Sequence, residues 1–273
     1  MGLFGSKENP EDLMYHAMSM MDRNQPKPAV ALFNKVLKQD SNNTAALFNK
    51  GLALNKMKKY TDAVTCFDKL LEINPKDAKA MNNRGIAMAE MGDIQGAAEW
   101  YDKAIEADPK DASSFFNKGV LLDRLQESEE AIEFLDKAME IDPRKTNALF
   151  YKGIILGKMK KHEEALNCFE KTYKKNPKHM DALFHKGIEL AELEKHEKAI
   201  EIFDKILMDH KDNVNIIYAK SRSNAALGNY SESIDLLKKA ISKNPKIIRN
   251  WAKEEKIFQK FHTDEQFRKI VKL

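Results

Sequence analysis

Residues 78–111 read AKAMNNRGIAMAEMGDIQGAAEWYDKAIEADPKD, and this stretch decides the fold. Its apolar positions Met81, Gly85 and Met88 follow the i, i+4, i+7 spacing of one helix face. The pattern predicts a first helix from about Ala78 to Met91, broken at Gly92-Asp93. A second helix follows from about Gln95 to Ala107 and ends at Asp108-Pro109. Gly85, Ala97 and Ala104 leave room for close helix approach, and Tyr101 fills the space between. Neither helix can bury its apolar face alone, so the pair must stack on neighbours.

The same register recurs every 34 residues. Pro75, Pro109, Pro143, Pro177 and Pro245 share one phase, with Lys211 in the missing slot. Gly51, Gly85, Gly119, Gly153 and Gly187 share another, followed by Ser221. Ala63, Ala97, Ala131, Ala165 and Ala199 share a third, followed by Ser233. A helical pattern with this period predicts an all-α, right-handed superhelical solenoid of helix-turn-helix repeats. Counting from Pro10 gives seven repeats: 10–43, 44–77, 78–111, 112–145, 146–179, 180–213 and 214–247. Residues 1–9 precede them as a tail. Residues 248–273 follow, read as a capping helix with a charged outer face (Lys253, Glu254, Lys256) and a short amphipathic helix. That last helix is expected to start at Thr263, with Gln266 in capping-box spacing, and to bury Phe267, Ile270 and Val271.

The bulk composition narrows the function classes. The chain has 273 residues, with 46 basic and 42 acidic side chains, a net charge of +4. So balanced a charge describes a mixed, solvated surface and not a nucleic-acid footprint. Cys66 and Cys168 occupy equivalent places three repeats apart, so no disulfide framework follows and a reducing, cytoplasmic setting is expected. No apolar run has membrane-spanning length. Met1-Gly2-Leu3-Phe4-Gly5-Ser6 fits a short N-myristoylation pattern, with a plain tail as the alternative.

No nucleophile elbow, phosphate loop, dinucleotide fingerprint or zinc-protease motif is present, so the chain reads as no enzyme, with no cofactor and no metal. His162 and His196 fall at one repeat position in adjacent repeats, but nothing in their spacing forces converging metal ligands.

The repeat resembles the tetratricopeptide repeat family. The matching residues in 44–77 are Leu47, Gly51, Leu54, Ala63, Phe67 and Pro75; in 146–179 they are Leu149, Gly153, Leu156, Ala165, Phe169 and Pro177. The end repeats depart: 10–43 carries Ala17 and Ser41 for Gly and Pro, and 214–247 carries Ser221, Ser233 and a polar Asn224. The resemblance implies a concave groove lined by positions two, five, six, nine, twelve and thirteen of each first helix. These positions do fall on one helical arc.

Four features mark that arc. Position five is aromatic in Phe48, Phe116, Phe150 and Phe184, and position nine is aliphatic in Ile86, Val120 and Ile154. These form either an apolar track for a peptide or packing between first helices. Asn49, Asn83 and Asn117 form a carboxamide row at position six, able to hold a peptide backbone. Lys79, Asn55, Glu90, Asp123, Arg124 and Lys158 are the variable polar positions expected to set specificity. Met14, Met18 and Met21 of the first repeat offer a further apolar surface, or pack as an end helix.

The carboxylate-gripping clamp of chaperone-adaptor members is not expected, because its lysine and asparagine positions are aromatic and aliphatic here. A row of cations at position seven (Lys50, Arg84, Lys118, Lys152, Lys186, Lys220) lies off the groove and reads as snorkelling stems with solvated heads. The expected function is a scaffold that binds an extended peptide or amphipathic helix of a protein partner. RNA binding by a helical superhelix, with nucleic acid the less favoured partner, and self-association through the end faces are the alternatives.

Overall fold

The computed structural model describes residues 9–273, and every regular element among them is a helix. The expectation for Gly2 lies outside the described residues. The helices run in consecutive antiparallel pairs. They are α1 (Pro10–Asp22) with α2 (Pro26–Gln39), α3 (Thr44–Lys56) with α4 (Tyr60–Ile73), α5 (Ala78–Met91) with α6 (Ile94–Ala107), and α7 (Ala112–Arg124) with α8 (Ser128–Ile141). The series continues with α9 (Thr146–Lys158) and α10 (His162–Lys175), α11 (Met180–Glu192) and α12 (His196–Asp209), and α13 (Val214–Ala226) and α14 (Tyr230–Lys243). The chain closes with α15 (Pro245–Glu254), a 3-10 helix (Lys256–Phe261) and α16 (Glu265–Val271). This is the all-α solenoid of helix pairs. It divides into two compact units, one ending at Pro143 and one comprising Arg144–Leu273.

Close approach within the five pairs from α3/α4 to α11/α12 depends on glycine in the first helix. A Cβ on Gly51 would come within 2.6 Å of the Phe67 ring, and one on Gly187 within 2.6 Å of the Phe203 ring. Phe33, Phe67, Phe169 and Phe203 are fully buried. In the first unit Leu47, Leu54, Phe67 and Leu70 form one cluster with Ala80 and Ala87 of the next pair. In the second, Leu183, Phe203 and Ile206 join Ile216 and Ala219. In both clusters a pair completes its core on the next pair's first helix, as nearest-neighbour stacking requires.

Apart from α9, which follows Lys145 without one, the first helices of the seven pairs start on side-chain caps. Asn43 Oδ1 accepts from the Ala46 amide at 2.9 Å, and Asp77 Oδ1 from the Ala80 amide at 2.9 Å. Pro75, Pro109 and Pro177 lie in the turns before these caps, not in the first helical turn that their chemistry also allows. Pro245 does open a helix, α15. The turn inside each pair passes through a left-handed residue at one repeat position: Asn24, Lys58, Gly92, Gln126, Lys160, Glu194 and Gly228. Only two of these are glycine.

The C-terminal segment differs from a further repeat. α15 stops at Glu254, and Glu255 turns the backbone extended at φ −67°, ψ 117°. The chain then doubles back so that Phe258, Phe261, Phe267 and Val271 enter a core with Ile217, Tyr218, Ile234 and Leu237. α16 is capped by Asp264, whose Oδ1 accepts from the Phe267 amide at 2.7 Å, rather than by Thr263. The Tyr230 hydroxyl also donates to Asp264 and anchors that cap. In α1, Met14 and Met21 pack on the terminal core while Met18 stays exposed.

Candidate functional site

In the first unit the expected groove residues lie on α3, α5 and α7. Asn49 and Asn83 turn inward along their own helices: each Nδ2–H donates to the carbonyl four residues back, Ala45 at 2.9 Å and Lys79 at 2.8 Å. Asn117 instead donates to Oδ1 of Asn82 on α5 at 2.9 Å, which ties two first helices together. The row is therefore not three equal carboxamides. Each still carries a second N–H and acceptor capacity. Asn55 Nδ2 donates to the Asn83 carbonyl at 3.3 Å, while its buried Oδ1 has no hydrogen-bond partner among the described residues.

Five expected residues converge. Ile86, Glu90, Asn117, Val120 and Arg124 line one cavity of about 130 Å³ together with Ala89, Tyr101 and Leu121. Arg124 and Glu90 close one side as an ion pair at 3.3 Å. The Tyr60 hydroxyl reaches the other Glu90 oxygen at 3.4 Å. Burial, more than these charges, pushes the Tyr101 phenol well above its ordinary range, so it stays a neutral donor. Phe48 is half-buried and meets Phe67 edge-on at 6.1 Å between centroids. Phe116 and Asp123 are half-buried, and Lys79 is exposed away from the cavity lining.

Phe150, Ile154 and Lys158 of α9 and Phe184 of α11 belong to the second unit. Phe150 packs on Phe169 at 5.7 Å, and both rings enclose His185, which stacks on Phe169 at 5.3 Å. Burial holds the His185 imidazole below its ordinary pKa. Ile154 is half-buried and Lys158 exposed. Phe184 borders a cavity of about 230 Å³ with Ile188, Tyr218, Ala219, Arg222 and Trp251. The aromatic positions are thus partly packing and partly accessible.

The cation row is corrected by the structure. Arg84, Lys118, Lys186 and Lys220 do not end in solvated heads; each pairs with a carboxylate on the preceding helix. His162 is engaged as well: its Nδ1 lies 2.8 Å from Oε2 of the buried Glu189. Glu189 is the one charge in a column that otherwise holds Ser19, Ala53, Ala87, Leu121, Ile155 and Ser223, and that contrast is visible in the sequence. Among the described residues no cluster of three or more His, Cys, Asp or Glu could hold a metal, and no helix is long and apolar enough to cross a membrane.

Three family models match successive parts of the chain: the N-terminal tetratricopeptide repeat region of Psidin over 15–118, anaphase-promoting complex (cyclosome) subunit 3 over 90–172, and a tetratricopeptide repeat over 152–216. This chain is a tetratricopeptide repeat protein. Its solved relatives include Pseudomonas aeruginosa PilF, at 20% identity and TM-score 0.68 over 80% of this chain and 96% of that one. A tetratricopeptide repeat protein from Parabacteroides merdae matches 98% of this chain and 100% of its own at 17% identity and TM-score 0.65. YrrB, described as a tetratricopeptide repeat protein with an unusual peptide-binding site, matches at 26% identity and TM-score 0.54, over 69% of this chain and 97% of its own. No curated protein sequence matches the chain.

Proposed function

We propose that this tetratricopeptide repeat protein is a non-catalytic interaction scaffold that takes an extended peptide or amphipathic helix of a protein partner along its first helices. The observation that carries this reading is the convergence of Ile86, Glu90, Asn117, Val120 and Arg124 on one small cavity of the first unit. An aliphatic side chain of the ligand fits between Ile86 and Val120. The Glu90–Arg124 pair flanks it and can exchange its internal bond for a charged or amide group of the ligand. Asn83 and Asn117 supply backbone contacts at either side. The printed description of YrrB as a peptide binder supports the same direction.

Peptide-display selection against the whole chain tests the proposal, with the Val120→Asp and Arg124→Ala variants as counter-screens. A consensus peptide should emerge and lose about tenfold or more in affinity with either variant, as a buried anchor does. Circular dichroism would show both variants folded. A consensus that binds both variants as well as the parent removes this cavity from the mechanism. Binding that collapses steeply with salt would indicate nucleic acid instead.

A further inference from the structure

The second unit builds one polar arrangement twice and completes it once. In the first copy, His162 opens α10 and Glu189 projects from α11, with Nδ1 and Oε2 2.8 Å apart. The other Glu189 oxygen fills the space over Gly157, where an added Cβ would come within 2.7 Å of it. The same three positions 34 residues on are Ala191, His196 and Ser223. His196 again opens its helix, α12, and Ser223 sits in α13.

Serine ends two carbons short of glutamate's carboxylate, and the second pair does not close. His196 Nδ1 and Ser223 Oγ are both buried, and among the described residues neither has a hydrogen-bond partner. Ser223 is only 1% exposed. Buried polar atoms left in this way are rare and unfavourable, so a bonding group from outside the fold is favoured there.

Ala191, His196 and Ser223 all line a cavity of about 480 Å³. That volume lies within the range of small-molecule sites. Ile188, Phe203 and Ile257 give it apolar wall. Its charges cancel: Arg222, Lys256 and Lys260 face Glu192, Glu194 and Glu255, and Arg222 is already held by Glu192 at 3.3 Å and Glu255 at 3.0 Å. Net charge therefore does not choose the ligand. The register does, since the group that satisfies the equivalent histidine is a carboxylate.

We propose that this cavity binds an organic carboxylate carried on an apolar body, with its head in the place that Glu189 fills one repeat earlier. The Ser223 hydroxyl and the His196 ring N–H donate to its oxygens. The apolar body lies against Ile188, Phe203 and Ile257.

The test is calorimetric titration of the full chain with hexanoate and benzoate, and with hexanamide and benzamide as neutral matches. The carboxylates should bind saturably and the amides about tenfold more weakly, as charge-assisted bonds are the stronger. A short peptide ending in leucine, with its C-terminal amide as control, forms a second arm. Hexanoate binding assigns the site to free acids, and peptide binding alone assigns the same carboxylate site to a partner's chain end. Ser223→Glu should rebuild the His162–Glu189 pair at His196 and abolish binding in a protein that still melts cooperatively. Should that variant not fold, Ser223→Ala should weaken binding about fivefold by removing one donor. No saturable carboxylate binding, equal binding of acid and amide, or binding that survives Ser223→Glu in folded protein overturns the proposal.

Discussion

Arg84 places its Nε 2.5 Å from Oδ1 of Asp68, sixteen residues earlier on the preceding helix. The guanidinium also lies 4.2 Å over the Trp100 ring. The same offset joins Lys118 to Asp102, Lys186 to Glu170 at 2.9 Å, and Lys220 to Asp204. Each bridge runs from the second helix of one pair to the first helix of the next. The cation of each bridge is the more buried partner, so screening by solvent is only partial.

The first prediction concerns this ladder. In a double-mutant cycle, Asp68→Ala and Arg84→Ala should show a coupling of about 0.5–1 kcal/mol, the range for half-exposed pairs. The coupling should shrink in about 1 M salt, where screening acts within a few ångströms. Urea melts of the four proteins measure it. A coupling of zero would leave the ladder as geometry without energetic content.

Left-handed turn residues give a second prediction. Lys58, Gln126, Lys160 and Glu194 hold φ near +60°, as Gly92 and Gly228 do at the equivalent places. A Cβ is unfavourable in this region, whereas glycine costs more entropy on folding. Replacing each with glycine should stabilise by about 0.5 kcal/mol net. Thermal melts of the single variants, and of a combined Lys58→Gly/Gln126→Gly chain, would detect it.

Overpacking supplies a third. A methyl group on Gly187 would press on the fully buried Phe203 ring. Gly187→Ala should cost about 1–3 kcal/mol despite its better helix propensity. Gly187→Ala combined with Phe203→Leu should recover part of that loss, and denaturant midpoints compare the two.

Acid should weaken the second unit through His185. Its ring is enclosed by Phe150 and Phe169, and burial lowers its pKa from the ordinary 6.5, with nearby Asp181 opposing and His179 assisting. The unfolded chain therefore binds this proton more readily than the folded one. The contribution is complete above about 6.5 and is lost as pH falls through the lower folded value. His185→Phe should reduce the stability lost between about pH 7.5 and about pH 5.5, relative to the parent. An unchanged pH profile would place the acid sensitivity elsewhere.

The boundaries of α5 were legible because capping chemistry is local: Asp77 before it and Gly92 after it mark its ends in the sequence itself. α6 begins at Ile94, one residue ahead of expectation, because Asp93 accepts from the Gly96 amide and sets the start. Side-chain pairs between repeats were not legible in the same way. The Arg84–Asp68 bridge and the His162–Glu189 bond join residues of different helix pairs, so no local pattern announces them. The orientation of Asn49 and Asn83 toward their own helix carbonyls is equally silent, since asparagine at that position suits a ligand or a backbone alike. The capping helix was legible, but its end at Glu254 and the backbone reversal that buries Phe258 were not.

That reversal gives the array a direction. Phe258, Phe261 and Phe267 plug the last core, and Ser221 and Ser233 clasp the final pair by donating to each other's backbone carbonyls at 2.7 and 3.0 Å. The five pairs before it use a bare glycine and alanine at those places. A duplicated 34-residue cassette dropped between two interior pairs would meet matching surfaces on both sides. The same cassette joined after Leu273 would meet a surface already sealed by aromatic rings. The array can lengthen from within, but a further pair cannot stack on the face that Phe258, Phe261 and Phe267 cover.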